Sequence, residues 1–294
     1  MKRRCPYCKI DPKYRLMDPK TVRFGSFYRR SDSRRIQRFR CLICSKHFSA
    51  ATFQDCYRQN KRGKNELLRR MLCSGVSQRR CSKILSLSRT TVVRKFLFLF
   101  KQSERLFLSP IEKPVCHNIE FDDMETFEHT KCKPLSITLS VESGTRRILG
   151  LQVSKMPAKG HLTEVSRKKY GPRKDERTRG RKKLFEQIRN IVSESATIRS
   201  DENPHYPKSV KEFFPDCVHE TFKGRRGCIV GQGELKKIKF DPLFSLNHTC
   251  AMFRANVNRL FRKTWCTTKR PDYLYAHLIL YAQFHNENLK TVSR

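Results

Sequence analysis

The chain has 294 residues, and 64 Lys and Arg stand against 27 Asp and Glu, for a net charge of +37. That length suggests two or three domains with a substantial core. The charge points to a polyanionic partner, nucleic acid before any other. The apolar runs, Phe96 to Phe100 among them, are far too short to cross a bilayer.

The first element is a pair of cysteine knuckles, Cys5-Pro-Tyr-Cys8 and Cys41-Leu-Ile-Cys44. Each aims two thiolates at one point, and two knuckles together supply the four soft ligands of a closed tetrahedral zinc site. The spacer is too long for a classical finger and suits a zinc ribbon. Between the knuckles, Val22 to Arg30 and Arg34 to Cys41 read as two strands, joined by Ser31-Asp32-Ser33 as a hairpin. Met1-Lys2-Arg3-Arg4 runs straight into the first knuckle, so no secretory signal is expected. The remaining cysteines show no disulfide spacing and read as reduced thiols of a cytoplasmic protein.

A polar joint, Asp55 to Asn65, leads into helical periodicity. Leu67, Leu68, Met71 and Leu72 line a first helix that ends at Ser74-Gly75. Ser77 caps a second over Gln78 to Leu85, with Cys81, Ile84 and Leu85 inward. Ser88 caps a third from Arg89 onward, burying Val92, Val93 and Phe96. This is a helix-turn-helix pattern. The start of the third helix offers Arg89, Thr90, Arg94 and Lys95 as donors to DNA bases and phosphates. Residues 1 to 100 hold 27 basic and 5 acidic residues, a net of +22, which agrees with a DNA-binding arm.

From His117 the pattern turns to strands. Asn118 to Phe121 leads into Asp122-Asp123, and Leu135 to Val141 and Arg147 to Val153 alternate, so the three strands predict an antiparallel meander. Residues 158 to 180 read as a mobile basic loop. A helix around Leu184 to Ile191, a strand Ala196 to Asp201, a helix Tyr206 to Phe214 and a strand Cys217 to Phe222 follow. Helices from Ser245 to Arg262 and Asp272 to His285 close the chain. Asp122 and Asp201 each end a strand, and in a sheet of this order the two ends can lie side by side. Paired carboxylates there could hold two hard divalent cations that activate a water or a 3′ hydroxyl.

On these residues the chain resembles DNA transposases of the insertion-sequence-one type, which carry a ribonuclease H-like catalytic domain of the acidic-triad (DDE) class. The second knuckle with Phe48 after it, the helix-turn-helix, Glu120-Phe-Asp-Asp-Met-Glu125 and Ile198-Arg-Ser-Asp201 match the family's pattern. So does the stretch from Leu246-Asn247-His248 through Arg254 to Thr264. The resemblance implies a multidomain α+β protein: a zinc ribbon at 1–54, a helix-turn-helix domain at 55–110 and a ribonuclease H-like mixed sheet with C-terminal helices at 115–294. It implies Mg2+ or Mn2+ held by Asp122, Asp201 and a third residue. Where the family places glutamate, this chain has Asn247, whose carbonyl can bind a metal but cannot act as a base. Glu234 and Asp241 are the alternative acids, and His248 reads as a helix-surface residue. Arg254 would contact a phosphate or orient the helix. The implied partners are double-stranded DNA, as element ends and target, and a second copy of the chain. The implied location is the bacterial nucleoid. A transposase-derived regulator with a decayed site and a nuclease without strand joining are the rival readings.

Overall fold

A computed structural model describes residues 4–18, 20–30, 32–109, 115–223, 241–261 and 264–292. The protein is mixed α+β with two sheets, and it divides into two compact units, Met1–Leu67 and Leu68–Arg294.

In the first unit, α1 (Pro6–Ile10) starts inside the first knuckle, with Pro6 at the helical position that its fixed φ suits. β1 (Thr21–Arg29), β2 (Arg34–Cys41) and β3 (His47–Ser49) form an antiparallel sheet in that order. The expected hairpin is present, and the paired side chains of Arg29 and Asp32 close it. Ser31 of its turn lies outside the described residues. The register shifts between Arg23 and Ser26, where Gly25 takes a φ of +66°. Glycine adopts that left-handed conformation without penalty, and Gln37 Nε2 donates to its carbonyl at 2.6 Å. Among the described residues, the buried cluster at the centre of this unit is Cys5, Cys8, Cys41 and Phe48, and Ile36 and Ala51 are buried as well. A core so small needs a staple to hold its fold.

The second unit begins with short helices: α2 (Asn65–Leu72), which starts just before the boundary, then α3 (Gln78–Ile84) and the longer α4 (Arg89–Leu108). Both expected caps form: Ser77 Oγ accepts the Arg80 N–H at 3.3 Å, and Ser88 Oγ accepts that of Thr91 at 3.2 Å. Gly75, between α2 and α3, has a φ of +75° and donates its N–H to the Asn256 carbonyl at 2.7 Å. A Cβ there would meet the Phe261 ring at 2.8 Å, so the turn requires glycine. Ile84, expected inside, is 63% exposed; Cys81, Leu85 and Leu87 take the inward positions. The helices share one core with the sheet, in which Leu68, Leu72, Val92 and Phe96 join Ile137, Leu139 and Leu278.

That sheet has the order β6-β5-β4-β7-β8. β4 (Cys116–Phe127), β5 (Pro134–Glu142) and β6 (Ile148–Lys155) are the antiparallel meander. α5 (Leu162–Tyr170) and α6 (Arg177–Ile188) lead to β7 (Val192–Asp201), and α7 (Tyr206–Phe213) leads to β8 (Val218–Phe222). β7 pairs parallel with both β4 and β8. α8 (Phe244–Asn256) and α9 (Pro271–Val292) end the unit. β5 is buried on both faces: Leu135, Ile137, Leu139 and Val141 alternate with Ser136, Thr138 and Ser140. Small residues let α6 approach closely: a Cβ on Gly180 would lie 1.9 Å from Ser154 Oγ.

Three elements differ from expectation. β4 continues past Asp122 to Phe127, because Met124 keeps the inward alternation and pairing with β5 runs to Pro134. The segment 158–180 carries α5 and the start of α6 rather than a loop throughout. α8 stops at Asn256, whose carbonyl is taken by Gly75 instead of the helix ladder. Among the described residues, no helix is long and apolar enough to cross a membrane.

Candidate functional site

Two sites emerge, one in each unit. In the first, Cys5, Cys8, Cys41 and Cys44 place their sulfurs within 4.8 Å of one another. Cys5 and Cys44 Sγ are 3.7 Å apart, and Cys8 and Cys41 Sγ are 3.6 Å apart. Zinc–sulfur bonds of about 2.3 Å in a tetrahedron set sulfurs about 3.8 Å apart, so the four thiols fit a single zinc ion. Burial pushes the Cys8 thiol up, and its cysteine neighbours push it further. Burial also raises Cys41, but backbone N–H groups of Cys44 and Ile43 and the adjoining thiols outweigh it and bring it down to about 7. Ionisation is thus opposed at Cys8 and eased at Cys41, and a bound dication would favour thiolates at both. Lys46 lies over the Tyr7 ring at 5.4 Å and ties one knuckle to the other.

The second site forms where β7 stops. β4 and β7 pair in register as far as Glu120 opposite Arg199. Asp122 and Asp201 lie two residues further along each strand, so the two acids do sit beside one another. Asp122 is inside its strand rather than at its end. Burial raises the Asp122 pKa to about 7, and the charges of Asp201 and then Asp123 add to the shift. Tyr206 donates its hydroxyl to Asp122 Oδ1 at 3.1 Å and opposes the shift. Burial raises Asp201 as well, with Asp123 and Glu202 adding and the Asn203 N–H opposing. Two carboxylates that resist ionising together form a place where divalent cations are favoured.

Two contributors were not expected from the sequence. Asp123 accepts the Thr138 hydroxyl across the sheet and adds its charge to both acids. Tyr206 comes from the far side of β7 on α7, a placement that no local pattern reveals. The Asp122-Asp123 doublet was the available signal for Asp123.

α8 packs on the same strand. Glu120, 1% exposed, accepts the Leu246 N–H at 2.8 Å. Burial lifts the Cys250 thiol to about 12, with Arg254 opposing and Asp122 adding, so this turn of the helix faces Asp122. Asn247 and Arg254 share the line of Cys250 at helical spacing. Asn247 is exposed, and its side chain donates to Asp241 Oδ2 at 2.8 Å, not to Asp122 or Asp201. Glu234 lies outside the described residues. Among the described residues, no third acidic or other metal-binding side chain gathers with the two aspartates closely enough to complete a ligand cluster. His248 faces Arg146, whose guanidinium is 3.2 Å from the ring.

Arg254 is exposed and lines a cleft of about 380 Å³ with Glu125, Lys131 and Arg259. At the start of α4, Arg89, Thr90 and Arg94 are exposed. Lys95 is 3% exposed, because it falls on the packed line Val92, Lys95, Phe96, Leu99. It is therefore not part of the open basic face.

Comparison with known families finds no family model that matches the chain, and comparison with curated proteins finds no match.

Proposed function

We propose that the chain is a DNA transposase in which a zinc ribbon and a helix-turn-helix bind element ends and a ribonuclease H-like domain cuts and joins DNA. The observation that carries this reading is the side-by-side placement of Asp122 and Asp201 at the end of the β4–β7 pairing, where burial raises both pKa values and neighbouring carboxylates add to each shift. The sheet of three antiparallel strands followed by two parallel ones supports this reading, since it agrees with the order expected of such a domain. Asp122 and Asp201 offer the charged oxygens, and Tyr206 orients Asp122. Asn247 offers a neutral oxygen from α8, and Arg254 meets a phosphate. Bound Mg2+ or Mn2+ would activate the attacking oxygen and stabilise the leaving one. Arg89, Thr90 and Arg94 supply the open face of the reading helix, and a second copy of the chain would pair the two ends.

One observation favours the decayed-regulator reading: the Asn247 side chain is engaged with Asp241, apart from the two aspartates. A cleavage and strand-transfer assay separates the two readings. Full-length protein is incubated with DNA carrying the repeats that flank its gene, in Mg2+ and in Mn2+. Cut and joined products support the transposase. Sequence-specific binding without cleavage in either ion supports the regulator.

A further inference from the structure

The second unit holds a larger cleft, of about 930 Å³, between the start of α3 and α4 and the segment before α9. Arg79, Arg89, Arg259, Lys269 and Arg270 line it, and among the described residues no carboxylate does. Arg270 is paired with Asp272; among the described residues, Arg79, Arg89 and Lys269 make no ion pair. Trp265 also lines the cleft and is 81% exposed. It is the single tryptophan of the chain, and no ring among the described residues stacks on it.

A tryptophan left in water forfeits a large apolar burial. In a cleft rimmed by cations, an exposed indole can serve as a stacking platform beside phosphate contacts, the arrangement that binds unpaired nucleotides. An intact duplex cannot use such a platform, since its bases already stack on one another. Arg259 and Thr267 line both this cleft and the one that holds Arg254, so the two adjoin. A strand could thus run from the α8 side of the acids to Trp265.

We propose that this cleft holds an unpaired nucleotide of a DNA strand, with its base on the Trp265 ring and its phosphates met by the surrounding arginines and lysine. The inference rests on the DNA-processing reading and adds to it a preference for unpaired over fully paired DNA.

Trp265 is its own reporter, because no other indole contributes to the emission. Full-length protein is titrated with a blunt duplex and with the same duplex carrying a short single-stranded tail. Trp265 fluorescence and the anisotropy of a label on the DNA are read together. The tailed duplex is expected to quench Trp265 and to bind more tightly than the blunt one. Trp265→Ala, which removes an exposed side chain, is expected to lose about 5- to 150-fold of affinity for the tailed duplex and little for the blunt one. Trp265→Phe should restore part of the difference. Anisotropy that shows binding with no quenching, or a tail preference unchanged in Trp265→Ala, would overturn the inference while leaving DNA binding intact. No binding of either DNA at low salt would overturn both.

Discussion

The Glu120 carboxylate holds the first turn of α8 by accepting the backbone N–H of Leu246 at 2.8 Å, from a position only 1% exposed. A strand residue thus caps a helix that is remote in sequence. The negative charge sits at the N-terminal end of the helix dipole, where it is stabilising.

Removing that acceptor should be costly. Glu120→Ala leaves a buried N–H unpaired and should lower unfolding free energy by about 1–3 kcal/mol. Glu120→Gln keeps an oxygen in reach and should lose less. Urea denaturation of the three proteins checks this order; equal losses for Ala and Gln would show that the hydrogen bond is not what Glu120 supplies.

Zinc should be stoichiometric. Purified protein is expected to carry one zinc ion per chain, and Cys41→Ser to carry almost none. Structural zinc contributes on the order of 10 kcal/mol to the folding of small modules of this kind. The first unit, with its small buried centre, should therefore become protease-sensitive in the presence of a chelator, while the second unit stays resistant. Elemental analysis and limited proteolysis read the two outcomes. Intact resistance of residues 4–67 after zinc removal would mean that some other contact holds the arm.

The acids predict a pH dependence with a definite sign. An unfolded aspartate titrates near 3.9, and folding raises Asp122 to about 7. The folded state therefore holds this proton more tightly than the unfolded chain. Its contribution to stability is complete below about pH 4 and is lost as pH rises through about 7. Asp201 is shifted in the same direction and adds to the trend. Melting temperatures between pH 4 and 8 should fall less steeply for Asp122→Asn than for the native chain. Mg2+ at pH 8 should stabilise the native chain more than the variant. Parallel curves with and without the substitution would rule out Asp122 as the titrating group.

The third ligand can be decided by four variants. If Asn247 supplies an oxygen, Asn247→Ala should lose cleavage, and Asn247→Glu should keep or raise it by restoring a charge. Because Asp241 accepts from the Asn247 side chain, Asp241→Asn should change activity only modestly if it merely steers Asn247. If Asp241 is itself the ligand, Asp241→Asn should lose cleavage and Asn247→Ala should not. Cleavage rates in Mn2+ distinguish the outcomes. Asp201→Ala should be inactive in either case.

Short-range chemistry was what the sequence expressed well. The cysteine pairs announce their own cluster, and Ser77 and Ser88 announce two helix starts, because each signal lies within a few residues of its effect. Asp122 and Asp201 were recognisable as partners through strand order. Lys95 shows residue type yielding to helical position: its neighbours at helical spacing are Val92 and Leu99, and that line is packed. The third strand of the first unit, His47 to Ser49, is too short to show alternation. Glu120 and Tyr206 were invisible for another reason. Their roles depend on partners 126 and 84 residues away in the chain.

Gly75 and the end of α8 are fastened twice. The glycine donates its N–H to the Asn256 carbonyl, and its own carbonyl accepts from Asn258 Nδ2 at 3.3 Å. The turn that precedes α3 and α4 is thereby buttoned to the helix that packs over the acids. If α4 grips a DNA sequence, the distance from that grip to the point of cutting is set like the markings on a ruler, not by the slack of a tether. Cleavage would then fall at a fixed offset from the recognised bases, and loosening the button at Gly75 should blur that offset before it weakens the grip.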